Sequence, residues 1–311
     1  MQRGILGIGV CTLDILTKVE TLPSDESVEE AESAIFMGGG PVPTALATAA
    51  NLGSSTTMID VLGDDWKSNL IIEELKHHGI QCESIKIEPG ASASLASVLV
   101  RSSDGARAIR FVRSTTKAID PQSLEGNLIE NHKIIHCNGR HLEACIKAGE
   151  IADALGTGNV LSFDGGAHRY REELLPLMKR IDIAIVALDF ALKATNEKKL
   201  AQLTWKKLNQ LFPKAHIIGI TDGQRGSWIQ HEDQEPFHQP AFLVEDIEDT
   251  TGCGDVYHGT FLHAIESGIP VNEAARMASA AGAMNAKALG GRGYLPSKKQ
   301  LKDFLLGAQE I

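Results

Sequence analysis

The sequence feature that most restricts the fold is a series of short apolar runs separated by longer stretches with helical spacing. The apolar runs are Ile5–Val10, Thr56–Leu62, Ile134–Cys137, Val160–Phe163, Ile181–Val186 and Ile217–Ile220. Between them, segments such as Asp65–His78 and Asn196–Phe212 place apolar residues three or four positions apart. Near-continuous apolar strands that alternate with helices are typical of a parallel sheet covered on both faces. The pattern therefore predicts an α/β fold with a doubly wound, mostly parallel sheet that binds ligands at the carboxyl ends of its strands.

Two stretches interrupt this alternation. The acidic segment Thr17–Met37 has no clear helical period, and Ser92–Arg113 has the pattern of a β-hairpin around the turn Ser102–Gly105. The pair Asp104-Gly105 is expected to supply the positive φ angles of a tight turn. Such a hairpin beside an α/β core is a lid, a dimer patch or a solvated sheet edge, and we expect one of the first two.

Length, charge and cysteine content exclude several classes of protein. The 311 residues show no repeat and no linker, so we predict one domain over 1–311, with lid segments at about 15–37 and 92–113. With 40 acidic and 30 basic residues, the net charge of −10 disfavours nucleic-acid binding. No apolar run reaches the ~18–20 residues of a membrane span, and the N-terminal run does not resemble a signal peptide. The five cysteines stand singly, so we expect a reducing, cytoplasmic location.

The strongest local motif is Asp249-Thr250-Thr251-Gly252-Cys253-Gly254-Asp255, between an extended segment, Ala241–Ile247, and a helix, Asp255–Glu266. The backbone N–H groups of Gly252, Cys253 and Gly254 are expected to converge at the positive end of the helix and form an anion site. A carboxylate beside such a site suits phosphoryl transfer from a nucleotide to a hydroxyl, because Asp255 can accept the hydroxyl proton. The alternative is a capped helix after a glycine turn.

Three weaker glycine motifs occur elsewhere in the chain. Gly38–Ala45 contains three consecutive glycines and leads into a helix of small residues, where a ligand can approach the bare backbone. Gly63-Asp64-Asp65 follows a strand and is explained equally well by a turn with an N-cap aspartate. The third, Thr221–Gly226, follows Ile217–Ile220, at a strand end where nucleotides tend to bind.

The order of these motifs resembles that of the PfkB (ribokinase-like) family of carbohydrate kinases over nearly the whole chain. The block 249–255 is similar to the second signature of that family, with Cys253 where alanine is commonest. The resemblance implies a ribokinase-like fold with a small β lid, and an ATP-dependent kinase that phosphorylates a hydroxyl of a sugar or sugar-like molecule. It also implies Mg²⁺, K⁺ in some members, and a homodimer formed through the lid.

The resemblance assigns roles to individual positions. Asp255 falls on the catalytic base of the family, and Gly252, Cys253 and Gly254 fall on its anion hole for the γ-phosphate. The remaining matches are to binding positions: Asp14 and Gly39 for the acceptor, Thr221, Gly223 and Gly226 for ATP with the helix 278–288 beside adenine, and Asp249 and Thr251 for a monovalent cation.

The chain departs from the family pattern in two places. Thr44 stands where an asparagine usually contacts the sugar, and we keep it as an acceptor-binding candidate. The NxxE motif that orders Mg²⁺ and phosphates is absent from 187–191, where Asp189 is the candidate replacement. These departures put the usual ribose or fructose-phosphate specificity in doubt.

Arginines in the lid hairpin indicate a polar or anionic acceptor, with a solvated surface role as the alternative. They are Arg101, Arg107, Arg110 and Arg113, and Arg110 is our candidate substrate contact. A nucleoside kinase would need an apolar base pocket from the same lid. A non-catalytic sugar or nucleotide sensor is the other alternative, because the NxxE region is altered.

Three further site types find no support in the sequence. The run Gly7–Thr12 lacks the third glycine of a dinucleotide fingerprint and a suitable acid about 20 residues later. There is no GxxxxGK[ST] motif, and none of the 11 histidines has HExxH spacing, so we assign no structural metal. Cys253 is interpreted as a small residue of the loop and not as a nucleophile.

Overall fold

The centre of the fold is a nine-stranded sheet, counted over the residues that the computed structural model describes, 4–23, 26 and 28–310. Its strands are, in chain order, β1 (Gly4–Ile8), β4 (Thr56–Gly63), β5 (Ile85–Glu88), β8 (His132–Cys137), β9 (Val160–Gly165), β10 (Ile183–Ala187), β11 (Ile217–Thr221), β12 (Ser227–His231) and β13 (Phe237–Gln239). They lie in the order β13-β12-β11-β10-β9-β8-β1-β4-β5. All neighbours pair parallel except β11–β12 and β12–β13. The predicted doubly wound, mostly parallel sheet is confirmed.

Helices cover both faces of this sheet. They are α1 (Pro41–Asn51), α2 (Trp66–His77), α3 (Gly126–Glu130), α4 (Leu142–Leu155), α5 (Leu175–Met178), α6 (Leu188–Thr195), α7 (Gln202–Leu211), α8 (Cys253–Glu266), α9 (Val271–Asn285) and α10 (Lys298–Gly307). Successive strand residues enter different cores: Ile183 packs with Phe261 of α8, whereas Ala184 packs with Phe190 of α6. Because both faces are buried, the strands are apolar at nearly every position.

A smaller four-stranded sheet forms the lid. Its strands are β2 (Thr12–Val19), β3 (Ser33–Gly39), β6 (Ser94–Arg101) and β7 (Arg107–Val112), in the order β3-β2-β6-β7. β6 and β7 form the predicted hairpin, in which Gly105 has a φ of 67° and Asp104 is not among the positive-φ residues. In the predicted segment 15–37, residues 24, 25 and 27 lie outside the described part of the chain.

Asp14 lies inside β2 of the lid, after β1 has ended at Ile8. One local prediction differs from the structure. The segment 241–247 is irregular apart from one bridge between Phe242 and Glu310. In the described part of the chain, no helix is both long and apolar enough to cross a bilayer.

Candidate active site

The glycine-rich block forms a tight loop at the start of α8. Gly252 caps this helix with a φ of 74°, in the left-handed region that favours glycine. A Cβ atom at Gly252 would lie 2.4 Å from the Cα atom of Gly291, so two stretches of main chain touch here. This close approach and the positive φ both require glycine at position 252.

The backbone N–H groups of this loop are free to bind a ligand. Within the described residues, the N–H groups of Gly252, Cys253 and Gly254 donate no hydrogen bond. Space at Gly254 is open, because a Cβ atom there would meet nothing within 4 Å. Unpaired N–H groups at the positive end of a 14-residue helix make a site for an anion such as a phosphate.

Asp249 holds this loop in shape. Its fully buried carboxylate accepts hydrogen bonds from the N–H and hydroxyl of Thr251, at 2.8 and 2.7 Å, and from the N–H of Gly290, at 2.9 Å. Asn285 donates to the Thr251 carbonyl at 3.0 Å. Three of about four acceptor positions on the Asp249 carboxylate are thus occupied by the loop itself.

The lid contacts the segment just before this loop. The Arg107 guanidinium donates to the Thr250 hydroxyl at 2.6 Å, and Lys18 donates to Glu248 at 3.1 Å. These bonds connect β7 and β2 directly to the residues that lead into the anion site.

Asp255 lies in the first turn of α8 and is partly buried. Burial raises the pKa of Asp255 to about 7, and the negative charge of Asp164 adds to this effect. Arg169, His258 and Arg292 act in the opposite direction. A carboxylate with a pKa near neutrality can accept a proton at neutral pH.

A buried cluster beneath Asp255 was not identified from the sequence. Oδ1 of Asp164, at the end of β9, lies 3.3 Å from Nε2 of His258. His258 follows Asp255 by one helical turn on α8. The His258 ring lies 5.5 Å from the His136 ring, centroid to centroid. Burial would raise the pKa of Asp164, but the charge and hydrogen bond of His258 and the charge of Arg169 bring it below its usual range. Nothing in the sequence around Asp164 connects it with His258.

Asp14, Gly39 and Thr44 come together where the lid meets the start of α1. A Cβ atom on Gly39 would lie 2.2 Å from an Asp14 carboxylate oxygen, so glycine leaves room for that side chain. Burial raises the pKa of Asp14, although the Thr12 hydroxyl donates to it at 2.8 Å and opposes the shift. The partly buried Asp14 carboxylate is placed to accept hydrogen bonds from a hydroxylated ligand.

Arg292 connects these residues, and sequence reasoning missed it. Its guanidinium donates to the Thr44 hydroxyl at 3.1 Å, to Glu74 at 2.8 Å and to the Gly39 carbonyl at 3.2 Å. The side chain of Arg292 is 1% exposed and that of Glu74 23%. A Cβ atom on Gly38 would overlap the Glu74 carboxylate. The bare backbone of Gly38 and Gly39 therefore leaves room for the carboxylates of Glu74 and Asp14.

The candidate nucleotide-binding residues lie at the ends of two neighbouring strands. Thr221 ends β11 and pairs with Ala187, which lies two residues before Asp189 in the first turn of α6. Asp189 accepts a hydrogen bond from the His168 N–H at 2.6 Å. Gly223 and Gly226 border the turn between β11 and β12. A cavity of about 1310 Å³ between α7 and β12 borders these residues, since Leu188, Asp222 and Arg225 line it.

Arg110 lies apart from the other candidates. Through Ala96, Asp14 aligns across the small sheet with Phe111. Because successive side chains alternate along a strand, Arg110 is on the opposite face from Asp14. Its exposed guanidinium donates to the Ile109 carbonyl.

Cys253 is the first residue of α8. Burial raises the pKa of the Cys253 thiol to about 11, so the thiol is neutral although it starts a helix. Over the described residues there is no group of three or more histidine, cysteine or acidic side chains that could hold a metal ion.

Known proteins resemble this chain in sequence over nearly its whole length, and solved structures resemble it in fold. A family model described as pfkB family carbohydrate kinase matches residues 2–298. A fructokinase from Solanum tuberosum is 28% identical over 317 residues, which cover 93% of this chain and 93% of that protein. Among solved structures, a candidate ribokinase from Agrobacterium tumefaciens has a TM-score of 0.90 at 22% identity and covers 98% of both chains. A ribokinase from Giardia lamblia has a TM-score of 0.84 at 20% identity, covering 96% of this chain and 99% of its own.

Proposed function

Since the chain belongs to the pfkB family of carbohydrate kinases and is a phosphotransferase with an alcohol acceptor, we propose that it transfers the γ-phosphate of ATP to a hydroxyl of a sugar or sugar-like molecule. The family membership confirms the resemblance seen in the sequence. The fructokinases and ribokinases among its relatives make a ketose or pentose the first acceptor class to test.

The proposed chemistry centres on Asp255. In the proposed step, its carboxylate accepts the proton of the acceptor hydroxyl while the hydroxyl oxygen attacks the γ-phosphorus. The bond from that phosphorus to the β–γ bridging oxygen breaks, and ADP leaves with the electron pair. The single observation that carries this proposal is a partly buried carboxylate, with a pKa near 7, in the same helical turn as the unpaired amides.

The amides of Gly252, Cys253 and Gly254 are proposed to stabilise the charge on the transferring group. Each is oriented by the helix before any ligand binds, so no reorganisation is needed during the reaction. The neutral Cys253 thiol adds no negative charge that would repel a phosphate.

Each substrate has a proposed binding region. Asp14 and Gly39 would contact the acceptor, with Thr44 held in place by Arg292. Thr221, Gly223 and Gly226 would border ATP, with α9 near its base. Arg110 stays a prediction, as does dimerisation through the lid, whose Phe36 side chain is 61% exposed.

The described residues offer candidate ligands for two metal ions, Mg²⁺ and K⁺. Mg²⁺ is usually held by one or two carboxylates together with the substrate phosphates, where it neutralises their charge. Asp189, which is 38% exposed at its side chain, is the candidate carboxylate for it. Asp249 and Thr251 remain candidates for K⁺, with Asp249 offering one acceptor position that the loop does not use.

The direct test is ADP formation from ATP with a panel of ketoses, pentoses, nucleosides and sugar acids. We expect ADP to form with at least one sugar, well above the rate without acceptor. Binding of sugar and nucleotide without turnover would favour the sensor alternative, and turnover only with a nucleoside would favour the nucleoside kinase.

The pH dependence of kcat/KM should follow the ionisation of Asp255. We expect kcat/KM to fall about tenfold per pH unit below pH 7, because the base must be ionised and burial raises its pKa to about 7. In Asp164→Asn, the midpoint should move to lower pH, since the charge that raises the pKa of Asp255 is removed. A midpoint near the ordinary value of 3.8 in the wild type would contradict the assignment.

A further inference from the structure

Four arginines gather at the carboxyl ends of β8 and β9 and at the end of the lid hairpin. We call Arg113, Arg140, Arg169 and Arg171 the arginine cluster. Arg140 follows β8 by three residues, Arg169 and Arg171 follow β9, and Arg113 directly follows β7. We propose that this cluster binds a phosphate or carboxylate group carried by the acceptor sugar, so that the preferred substrate is an anionic sugar; this inference rests on the proposed kinase function.

Contacts between the two strand ends hold the cluster together. The Arg171 guanidinium donates to the carbonyl of Gly139, the residue before Arg140, at 2.6 Å. β8 and β9 are neighbours in the sheet, so the loops that follow them meet at one edge. Burial lowers the pKa of Arg140, and the charges of Arg169, Arg171 and Arg113 lower it further, so each of these three guanidinium groups lies within electrostatic range of Arg140.

The positive charge of the cluster is largely unneutralised. Among the described residues, its one carboxylate partner within 4.0 Å is Asp164, 3.9 Å from Arg169 and already paired with His258. The guanidinium groups of Arg113 and Arg140 form no hydrogen bond within the part of the chain that the structure describes. By contrast, Arg180 on the surface lies 3.0 Å from Asp153. In a chain with a net charge of −10, so many unpaired cations in one place attract an anion strongly.

The position of the cluster favours the acceptor over ATP. Arg169 lies 3.9 Å from Asp164, which pairs with His258 one helical turn after Asp255, so the cluster lies near the proposed base. Arg113 comes from the lid strand that aligns, through β6, with Asp14 of β2. Of the proposed nucleotide residues, Thr221, Gly223 and Gly226 lie at the end of β11, two strands from β9, whereas Asp189 accepts a hydrogen bond from His168, the residue before Arg169. An anionic group on the acceptor could thus contact Arg113 and Arg140 while a hydroxyl of the same molecule lies near Asp255.

The test compares the binding of neutral and anionic sugars to the intact protein with a non-hydrolysable ATP analogue present. The probes are fructose, fructose 6-phosphate and gluconate, and the dissociation constants are measured by calorimetry. We expect at least one anionic probe to bind about tenfold or more tightly than fructose, because hydrogen bonds to charged groups are among the strongest in proteins. Equal affinity for all three, or no binding of either anionic probe, would overturn the inference.

Variants show whether the arginine cluster binds the anionic group of the acceptor. Arg140→Gln and Arg113→Gln should each weaken binding of the anionic probe about tenfold, leave fructose and the ATP analogue within twofold, and keep the wild-type unfolding temperature. Arg180→Gln, which removes an arginine paired with Asp153, is the matched control and should change none of these values. Weaker binding of the ATP analogue alone would assign the cluster to the donor phosphates and overturn the inference.

The inference and the proposed function fail in distinguishable ways. If no sugar in the panel supports ADP formation above background, the kinase proposal fails whatever the affinities are. If fructose is phosphorylated and the two arginine variants act on it as the wild type does, with no preference for an anionic sugar, the kinase proposal stands and the arginine cluster is not a substrate site.

Discussion

Replacing Asp255 by asparagine should lower kcat at least about 100-fold, because the amide cannot accept the proton of the attacking hydroxyl. The affinity for ATP should change little, since the amides of Gly252–Gly254 remain in place. Steady-state kinetics of ADP formation, with binding of a non-hydrolysable ATP analogue measured separately, give both values. Glu273→Gln, which alters another acid in the first turn of a helix, should keep wild-type turnover. A kcat within threefold of the wild type in Asp255→Asn would remove Asp255 from the mechanism.

The same variant should not lose stability. Burial raises the pKa of Asp255 above its ordinary value of 3.8, so ionisation of this group between about pH 4 and 7 opposes folding. Above pH 7 that cost is fully present, and asparagine removes it. At pH 8 the unfolding temperature of Asp255→Asn should therefore equal or exceed that of the wild type. A clear drop would mean that the loss of activity reflects damage to the fold.

Replacing Arg292 by methionine should lower the free energy of unfolding by about 3 kcal/mol. Removing one partner of a buried ion pair typically costs 3–5 kcal/mol, and the partial exposure of Glu74 places this site at the lower end. The Thr44 hydroxyl and the Gly39 carbonyl also lose their donor. Chemical denaturation followed by circular dichroism measures the difference.

Two further variants make this result specific. Lys299→Met breaks an exposed pair with Asp303 on α10 and should leave the free energy of unfolding nearly unchanged, because solvent screens exposed ion pairs. The double variant Arg292→Met/Glu74→Gln should lose less stability than the sum of the two single variants. Both charges are removed together, so no buried charge is left without a partner. A loss below about 1 kcal/mol for Arg292→Met would show that the ion pair does not stabilise the fold.

Local sequence patterns were sufficient to predict six of the nine strands of the main sheet, but not β5, β12 and β13. Residues 5–8, 160–163 and 217–220 lie in strands buried on both faces, so each run shows an apolar character that needs no knowledge of its neighbours. The hairpin Ser92–Arg113 was predictable from its turn, because Gly105 supplies a positive φ there. The segment 241–247 was not, because its residues suit a strand but no neighbouring strand pairs with them beyond one bridge.

Asp255 could be predicted because its motif lies within one short segment of the sequence. The residues that were missed form pairs between distant segments. Arg292 contacts Glu74, 218 positions away, and Asp164 meets His258 across the interface between sheet and helix. Such pairs exist only after folding, and neither partner stands out within its own segment.

The turn Gly290–Arg292 touches both halves of the site, and this has a consequence for loop engineering. Gly290 donates to Asp249, Gly291 packs on Gly252, and Arg292 bonds to Thr44. Under the proposed function, the spacing between the acceptor and the donor phosphate therefore depends on three residues that need not touch either molecule. Adding or deleting a single residue here would misalign donor and acceptor together, so a grafted substrate loop can succeed only if this turn keeps its length.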